Sequence, residues 1–359
     1  MPDTGSAPVI DAEAVSKLIG RASPGCAIAV SFGERRFEFA AGTYSDEDRR
    51  PVGVRTAYDI ASITKLFTAA LILRLHDSGA VDIEGRVRRY LPQFEESALT
   101  VTDLLTHHAG LESEPLSRLA ARYPSADEMA RRIRIRPEAS PHFFYQNATF
   151  LYLGLIAEKI YGKPLSECMR DLIGELDLRD TRLGSDAGLD APPTEIRDGV
   201  VWANRTHDES SYICGGLTGY AGIFSSARDL DKFARAWLEY RIASFATTKK
   251  AFSAHGRYPR EEQGLGWFNT LPHFPVFPDW IFCHSGYTGP LVAVNPAKSR
   301  VYAVTMNRTY YGRQNQLYRE LWARLLEGEL REAMTMESFI ARLKLNIDRY
   351  SEGGAAHGR

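Results

Sequence analysis

Residues 61–67 read ASITKLF, which places Ser62 and Lys65 three positions apart at the head of an apolar run. Lys65 is the only charged side chain between Ile63 and Leu73, so a helix here has no polar face and is expected to be buried. Residues three apart on a helix are neighbours, and the lysine amine can therefore reach the serine hydroxyl. Two readings are open. In one, Ser62 caps the helix and Lys65 snorkels to solvent. In the other, Ser62 is a nucleophile and Lys65 its proton-transfer partner, because burial disfavours the ammonium and lowers its pKa. The N–H groups at the helix start would then help to hold an oxyanion. Ser-x-x-Lys is too short a pattern to choose between these readings without the rest of the chain.

The 359 residues are 44% hydrophobic and 25% charged, the composition of a soluble globular protein with room for one large or two modest domains. With 44 basic and 45 acidic residues the formal net charge is -1, so neither nucleic acid nor a membrane surface is expected as a partner. The opening MPDTGSAPVIDAEA has no basic segment followed by an apolar one, which predicts a cytoplasmic location. The apolar stretch from Ile281 to Ala297 is interrupted by Gly286, Gly289, Pro290 and Pro296, which suits strands and turns better than a membrane helix. Cys26, Cys168, Cys214 and Cys283 stand far apart and are expected to be reduced. His107 and His108 are adjacent, point to different sides and lack further ligands at metal spacing, so no metal site is expected there. RRIRIR at 131–136 alternates isoleucine with arginine and reads as a solvated face with apolar anchors.

Residues 11–22 have helical spacing at Ala14, Val15, Leu18 and Ile19, with Asp11 as N-cap. CAIAVSF and RRFEFAAG flank Gly33-Glu34 as a β-hairpin. Helical stretches dominate from Ser62 to about Gly162. Strands return in LVAVNP and SRVYAVTMN around an Asn295-Pro296 turn, before a helix over Gln314–Leu326. The order predicts an α+β fold: one antiparallel sheet built from both chain ends, flanking helices and a mostly helical lobe, with a cleft between lobes. A single catalytic domain would span 10–335, its α/β lobe from about 10–60 and 220–335 and its helical lobe from about 62–215. Residues 336–359 would be a terminal helix and a disordered tail ending SEGGAAHGR.

Two further segments bear on the Ser62–Lys65 pair. HFFYQNATFLYLGLIAEKIYG sets Tyr145 and Asn147 in the loop that enters an apolar helix, where a tyrosine ordinarily packs with its hydroxyl wet. CHSGYTGPLVAVNP sets His284-Ser285-Gly286 before a strand, with Gly286 permitting close approach of a ligand backbone. By itself His284 reads as a hydrogen-bonded structural histidine.

Taken in order, Ser-x-x-Lys, Tyr-x-Asn and His-Ser-Gly resemble the serine β-lactamase and penicillin-binding protein superfamily, in its class C β-lactamase-like branch of esterases, D-aminopeptidases and DD-peptidases. VTDLLTHHAGL, GGLTGYAGIFSSARDLDKFARAWL, GLGW and MNR extend the resemblance in family order over roughly residues 10–330. The resemblance implies that Ser62 is acylated, Lys65 moves its proton, and Tyr145 is the general base that also serves the leaving group. It implies that Asn147 holds Lys65 and a polar substrate group, and that the N–H groups of Ser62 and Tyr287 form the oxyanion hole. His284 stands where many relatives carry lysine. A mostly neutral imidazole binds a substrate carboxylate more weakly, which favours ester or amide cleavage over β-lactam hydrolysis.

The expected substrate is a small ester, amide or short peptide, with no metal or organic cofactor. Alternatives are an acyltransferase on the same fold and a catalytically silent acyl-binding or sensor protein. The chain has no Gly-x-Ser-x-Gly elbow, which argues against an α/β-hydrolase. EASPHF stands where relatives carry Pro-Gly before the tyrosine, and THDESSYICGG, with His207, Asp208 and Glu209, reads as a structural loop.

Overall fold

The computed structural model describes residues 12–140, 142–253, 255, 263–269 and 281–326. Strands β1 (Gly25–Phe32) and β2 (Arg35–Gly42) form the hairpin around Gly33-Glu34, and the two-residue β3 (Tyr58–Asp59) follows. Four short strands lie in mid-chain: β4 (Arg182–Leu183), β5 (Glu195–Arg197), β6 (Val200–Trp202) and β7 (Ile223–Ser225). The last three are β8 (Phe282–Ser285), β9 (Leu291–Asn295) and β10 (Arg300–Met306).

The main sheet is antiparallel in the order β2-β1-β10-β9-β8. Cys26 lies opposite Met306 and Phe32 opposite Arg300, so strands from the two ends of the chain are zipped together as expected. β1 is buried along nearly all its length because it is internal to the sheet and covered on both faces. β2 carries Arg35, Arg36 and Glu38 along an edge, where charge discourages pairing with a second chain. On one face Ala27 and Ala29 let Ala227 and its helix, Ala227–Leu238, sit close. On the other, Ile28, Val30 and Val304 pack with Leu321 and Trp322 of the helix Tyr318–Leu325.

The largest core cluster runs from the helical part of the molecule onto one face of the main sheet, at Val292, Val294, Val301 and Ala303. At its centre is the helix Thr64–Asp77, whose residues 64–73 are all buried, Lys65 among them. Phe67 stacks on Phe233 with ring centroids 3.9 Å apart, joining this helix to Ala227–Leu238. The helix Asn147–Tyr161 packs beside it, and the Gly-rich stretch before β7 crosses close by. A Cβ on Gly219 would stand 2.0 Å from the Phe150 carbonyl oxygen, so only glycine fits that crossing.

Several boundaries differ from expectation. The first helix spans only Ala12–Ser16, the chain turning afterwards through a bridge between Ile19 and Ser23; Asp11 lies outside the described residues. The helix expected over Gln314–Leu326 begins at Tyr318, because the Asn315 side chain instead accepts the Leu317 N–H at 3.0 Å and donates to the Arg21 carbonyl at 2.8 Å. Asn147 is the first residue of its helix, not part of the loop before it. In RRIRIR, Ile133 is buried and Ile135 packs against the core, while Arg134 and Arg136 pair with Glu112. Residues 336–359, with the terminal helix and the SEGGAAHGR tail expected there, lie outside the described residues. Among the described residues no helix is long and apolar enough to cross a membrane.

Candidate active site

Ser62 sits in a one-turn 3-10 helix, Ala61–Ile63, that runs directly into Thr64–Asp77. Its side chain caps neither helix, so the capping reading is set aside. Ala61 just before it has φ 46°, the left-handed region that an alanine seldom adopts. The snorkelling reading also goes: Lys65 is 0% exposed. Its ammonium donates to Ser62 Oγ at 3.0 Å, Tyr145 Oη at 2.7 Å and Asn147 Oδ1 at 2.9 Å, with the Tyr220 carbonyl at 3.5 Å. Burial lowers the lysine pKa from 10.5 to about 7, an effect that the Asp208 carboxylate partly opposes.

Tyr145 reaches the lysine from the loop before Asn147–Tyr161, and the VTDLLTHHAGL segment holds that loop in place. The Phe144 N–H donates to the His107 carbonyl at 3.0 Å and the Gln146 N–H to His107 Nδ1 at 3.3 Å. The Leu111 N–H donates to the Gln146 side chain at 3.0 Å, and the His107 ring lies 4.7 Å from that of Tyr145. Burial, then the nearby Lys65 charge, push His107 well below its ordinary pKa, so it packs as a neutral ring. Part of Tyr145 is exposed, but its hydroxyl turns inward, and desolvation raises its pKa despite the opposing hydrogen bond to Ser62.

The third segment divides. His284, on β8, is 0% exposed, stacks 4.5 Å from Phe268 and lies behind Tyr145 at 6.5 Å. Its Nδ1 meets the Ser285 carbonyl at 2.9 Å, and burial together with the Lys65 charge lowers its pKa to about 3. It is neutral at pH 7 and is not among the residues lining the cavity beside Ser62. Gly286 has a use other than ligand approach: its Cβ would stand 2.4 Å from the Ile60 carbonyl oxygen, so the missing side chain lets this loop press against the Ser62 turn. Tyr287 does reach the cavity, with its ring 5.6 Å from that of His207.

The cavity, about 620 Å³, is lined by Ser62, Tyr145, Asn147 and Tyr287 and also by His207, Asp208, Glu209, Arg197 and Arg313. The THDESSYICGG segment is therefore a wall of the site. His207 Nε2 lies 2.7 Å from Glu195, which also accepts from Arg313 at 2.8 Å and from Arg197 at 3.1 Å. Desolvation alone would raise the Glu195 pKa, but these three partners together hold it below the ordinary carboxylate range. Asp208 Oδ1 accepts from Ser210 at 2.7 Å and from the Ser211 N–H at 2.8 Å, starting the helix Glu209–Ile213. The proximity of Glu195 to Arg313 had no sequence signal, since the two are 118 residues apart. His207 and Asp208 were visible only as members of a segment without an assigned chemistry.

The beta-lactamase family model matches residues 12–327. A Salmonella agona (strain SL483) protein named "Putative D-alanyl-D-alanine carboxypeptidase" is 26% identical over 303 residues, 71% of this chain and 70% of that protein. The octameric penicillin-binding protein homologue from Pyrococcus abyssi superposes with a TM-score of 0.72 at 23% identity, over 89% of this chain and 78% of that one. A class C beta lactamase from Rhodobacter sphaeroides gives a TM-score of 0.69 at 21% identity, over 89% of this chain and 99% of that one. At these identities the solved structures establish the fold, and the family match covers most of the chain. The chain belongs to the beta-lactamase family, within the serine β-lactamase and penicillin-binding protein superfamily, and is a serine hydrolase.

Proposed function

We propose that the protein cleaves a small ester, amide or short peptide through an acyl-enzyme on Ser62. The observation that carries this reading is the fully buried Lys65 amine, which has Ser62, Tyr145 and Asn147 all within 3.0 Å. A lysine whose pKa falls to about 7 is partly neutral at neutral pH, and its lone pair can then take the Ser62 proton. Its two remaining hydrogens point to Tyr145 Oη and Asn147 Oδ1. Desolvation keeps the Tyr145 phenol protonated, so the resting base is Lys65, and Tyr145 serves as the relay to the leaving group.

In this scheme Ser62 Oγ bonds to the carbonyl carbon as its proton passes to Lys65. The oxyanion is held by the N–H groups of Ser62, in the first turn of its helix, and of Tyr287 on the facing wall. The Tyr145 phenol protonates the departing oxygen or nitrogen and regains its proton from Lys65. Water then attacks the acyl-enzyme by the reverse path and releases the acid. His284 is neutral and hidden, so it supplies no fixed cation for a substrate carboxylate, which supports plain esters and amides over β-lactams. The carboxypeptidase name of the Salmonella relative adds short peptides to the range to test. Turnover of p-nitrophenyl butyrate that disappears in Ser62→Ala supports the reading; equal turnover in that variant removes Ser62 from the mechanism.

A further inference from the structure

Asp59 is 0% exposed and is not itself among the residues lining the cavity. Instead each oxygen accepts one backbone N–H: Oδ1 from Ala61 at 2.7 Å and Oδ2 from His207 at 2.7 Å. The Asp59 carbonyl accepts the Thr288 hydroxyl, also at 2.7 Å. These three tethers lead to three separate walls of the cavity. Ala61 precedes Ser62, His207 precedes Asp208, and Thr288 follows Tyr287, and the second residue of each pair lines the site. The first tether also falls on the residue with φ 46°, a conformation that a side chain disfavours and that needs an external hold. β3 is paired with β7 at Asp59 and Phe224, which fixes the base of the arrangement.

The geometry points to Asp59 as a positioning residue: its carboxylate clamps the left-handed turn at Ala61 and so aims the Ser62 nucleophile, and ties the Asp208 wall to the same point, while its backbone carbonyl holds the Tyr287 wall through Thr288. This rests on Ser62 being the nucleophile. An asparagine of the same shape has one acceptor oxygen and one N–H₂ group, so one of the two backbone N–H groups would face a donor. Misplacing a nucleophile by a fraction of an ångström is enough to slow its attack strongly.

The test is the rate at which an alkyl fluorophosphonate labels Ser62, read by intact mass with circular dichroism as a control for folding. Asp59→Asn is expected to slow labelling by about tenfold or more. Adding Ala61→Gly to that variant is expected to restore the rate to within about threefold of wild type, because glycine takes the left-handed turn unaided. A role confined to general stability would not respond to that second change. Labelling of Asp59→Asn at the wild-type rate, or a loss that Ala61→Gly leaves untouched, overturns the clamp. If Asp59→Asn does not fold, Asp59→Glu, which keeps the charge but displaces the carboxylate by one methylene, carries the test: slowing by about threefold or more supports the clamp, and an unchanged rate overturns it. A wild-type protein that takes no label at Ser62 overturns the nucleophile assignment and the clamp with it; a labelled wild type with an equally labelled Asp59→Asn overturns the clamp alone.

Discussion

Replacing Lys65 by methionine should make the protein more stable and far less active, and the size of the effect follows from burial. The folded lysine has a pKa of about 7 against 10.5 when exposed, so at pH 7 the unfolded chain holds its proton more tightly than the folded chain does. For a group whose folded pKa is depressed in this way, the penalty is full below the folded value and is relieved as pH rises toward the unfolded one. The gap corresponds to about 4 kcal/mol at pH 7 and about 2 kcal/mol at pH 9. Methionine removes this term but leaves Tyr145 and Asn147 without their donor, at roughly 1–3 kcal/mol. A net gain of about 1–3 kcal/mol at pH 7 remains.

The pH dependence is the sharper test. Urea unfolding at pH 7 and pH 9 should show wild type gaining about 2 kcal/mol relative to Lys65→Met over that interval, with contributions from all other groups cancelling between the two proteins. Parallel pH profiles would refute the reasoning, since a lysine that snorkels to solvent keeps an ordinary pKa in both states.

Tyr145→Phe keeps the ring that packs near His107 and Phe268 but removes the relay hydroxyl, and turnover of p-nitrophenyl butyrate should drop by about a hundredfold with the fold retained; an unchanged rate would exclude the phenol from proton transfer. Gly219→Ala puts a Cβ 2.0 Å from the Phe150 carbonyl and should lower stability by about 2–4 kcal/mol, whereas an unchanged urea midpoint would contradict that close approach. Glu195→Gln should cost about 1–2 kcal/mol at pH 7. The Glu195 pKa is depressed in the folded protein, so its contribution is present above the ordinary value of 4.5 and is lost as pH falls; denaturation midpoints of wild type and variant should converge in acid. A constant gap down to acid pH would show that charge is not what Glu195 supplies.

Patterns of local period carried the fold. The β1–β2 hairpin, the β9–β10 pair and the charge-poor helix after Ser62 are each specified within about twenty residues by apolar content and turn residues, and the protein forms all three. The Ser62–Lys65 pair was legible because helical spacing makes i and i+3 neighbours, whereas Tyr145 and Asn147 were singled out by the family resemblance of the Tyr-x-Asn pattern. What stayed hidden depends on contacts between distant segments. Glu195 finds Arg313 only when a three-residue strand is brought beside the turn after β10, and His284 is buried with Phe268 stacked on it. Asp59 carries no local signal of its own. Its use appears only when Ala61, His207 and Thr288 converge on it. Gly286 was read as a place for a ligand, whereas the neighbour it accommodates is the Ile60 carbonyl, a packing demand that no local pattern encodes.

The central claim is that Ser62, served by a buried and partly neutral lysine, becomes covalently acylated. Rapid-quench intact mass spectrometry during p-nitrophenyl butyrate turnover, followed by peptide mapping, tests it directly. The result expected is a butyryl adduct on the peptide containing Ser62, which forms faster as pH rises through about 7 and is absent in Ser62→Ala. Turnover with no adduct on Ser62, or the same adduct formed in Ser62→Ala, would contradict the account.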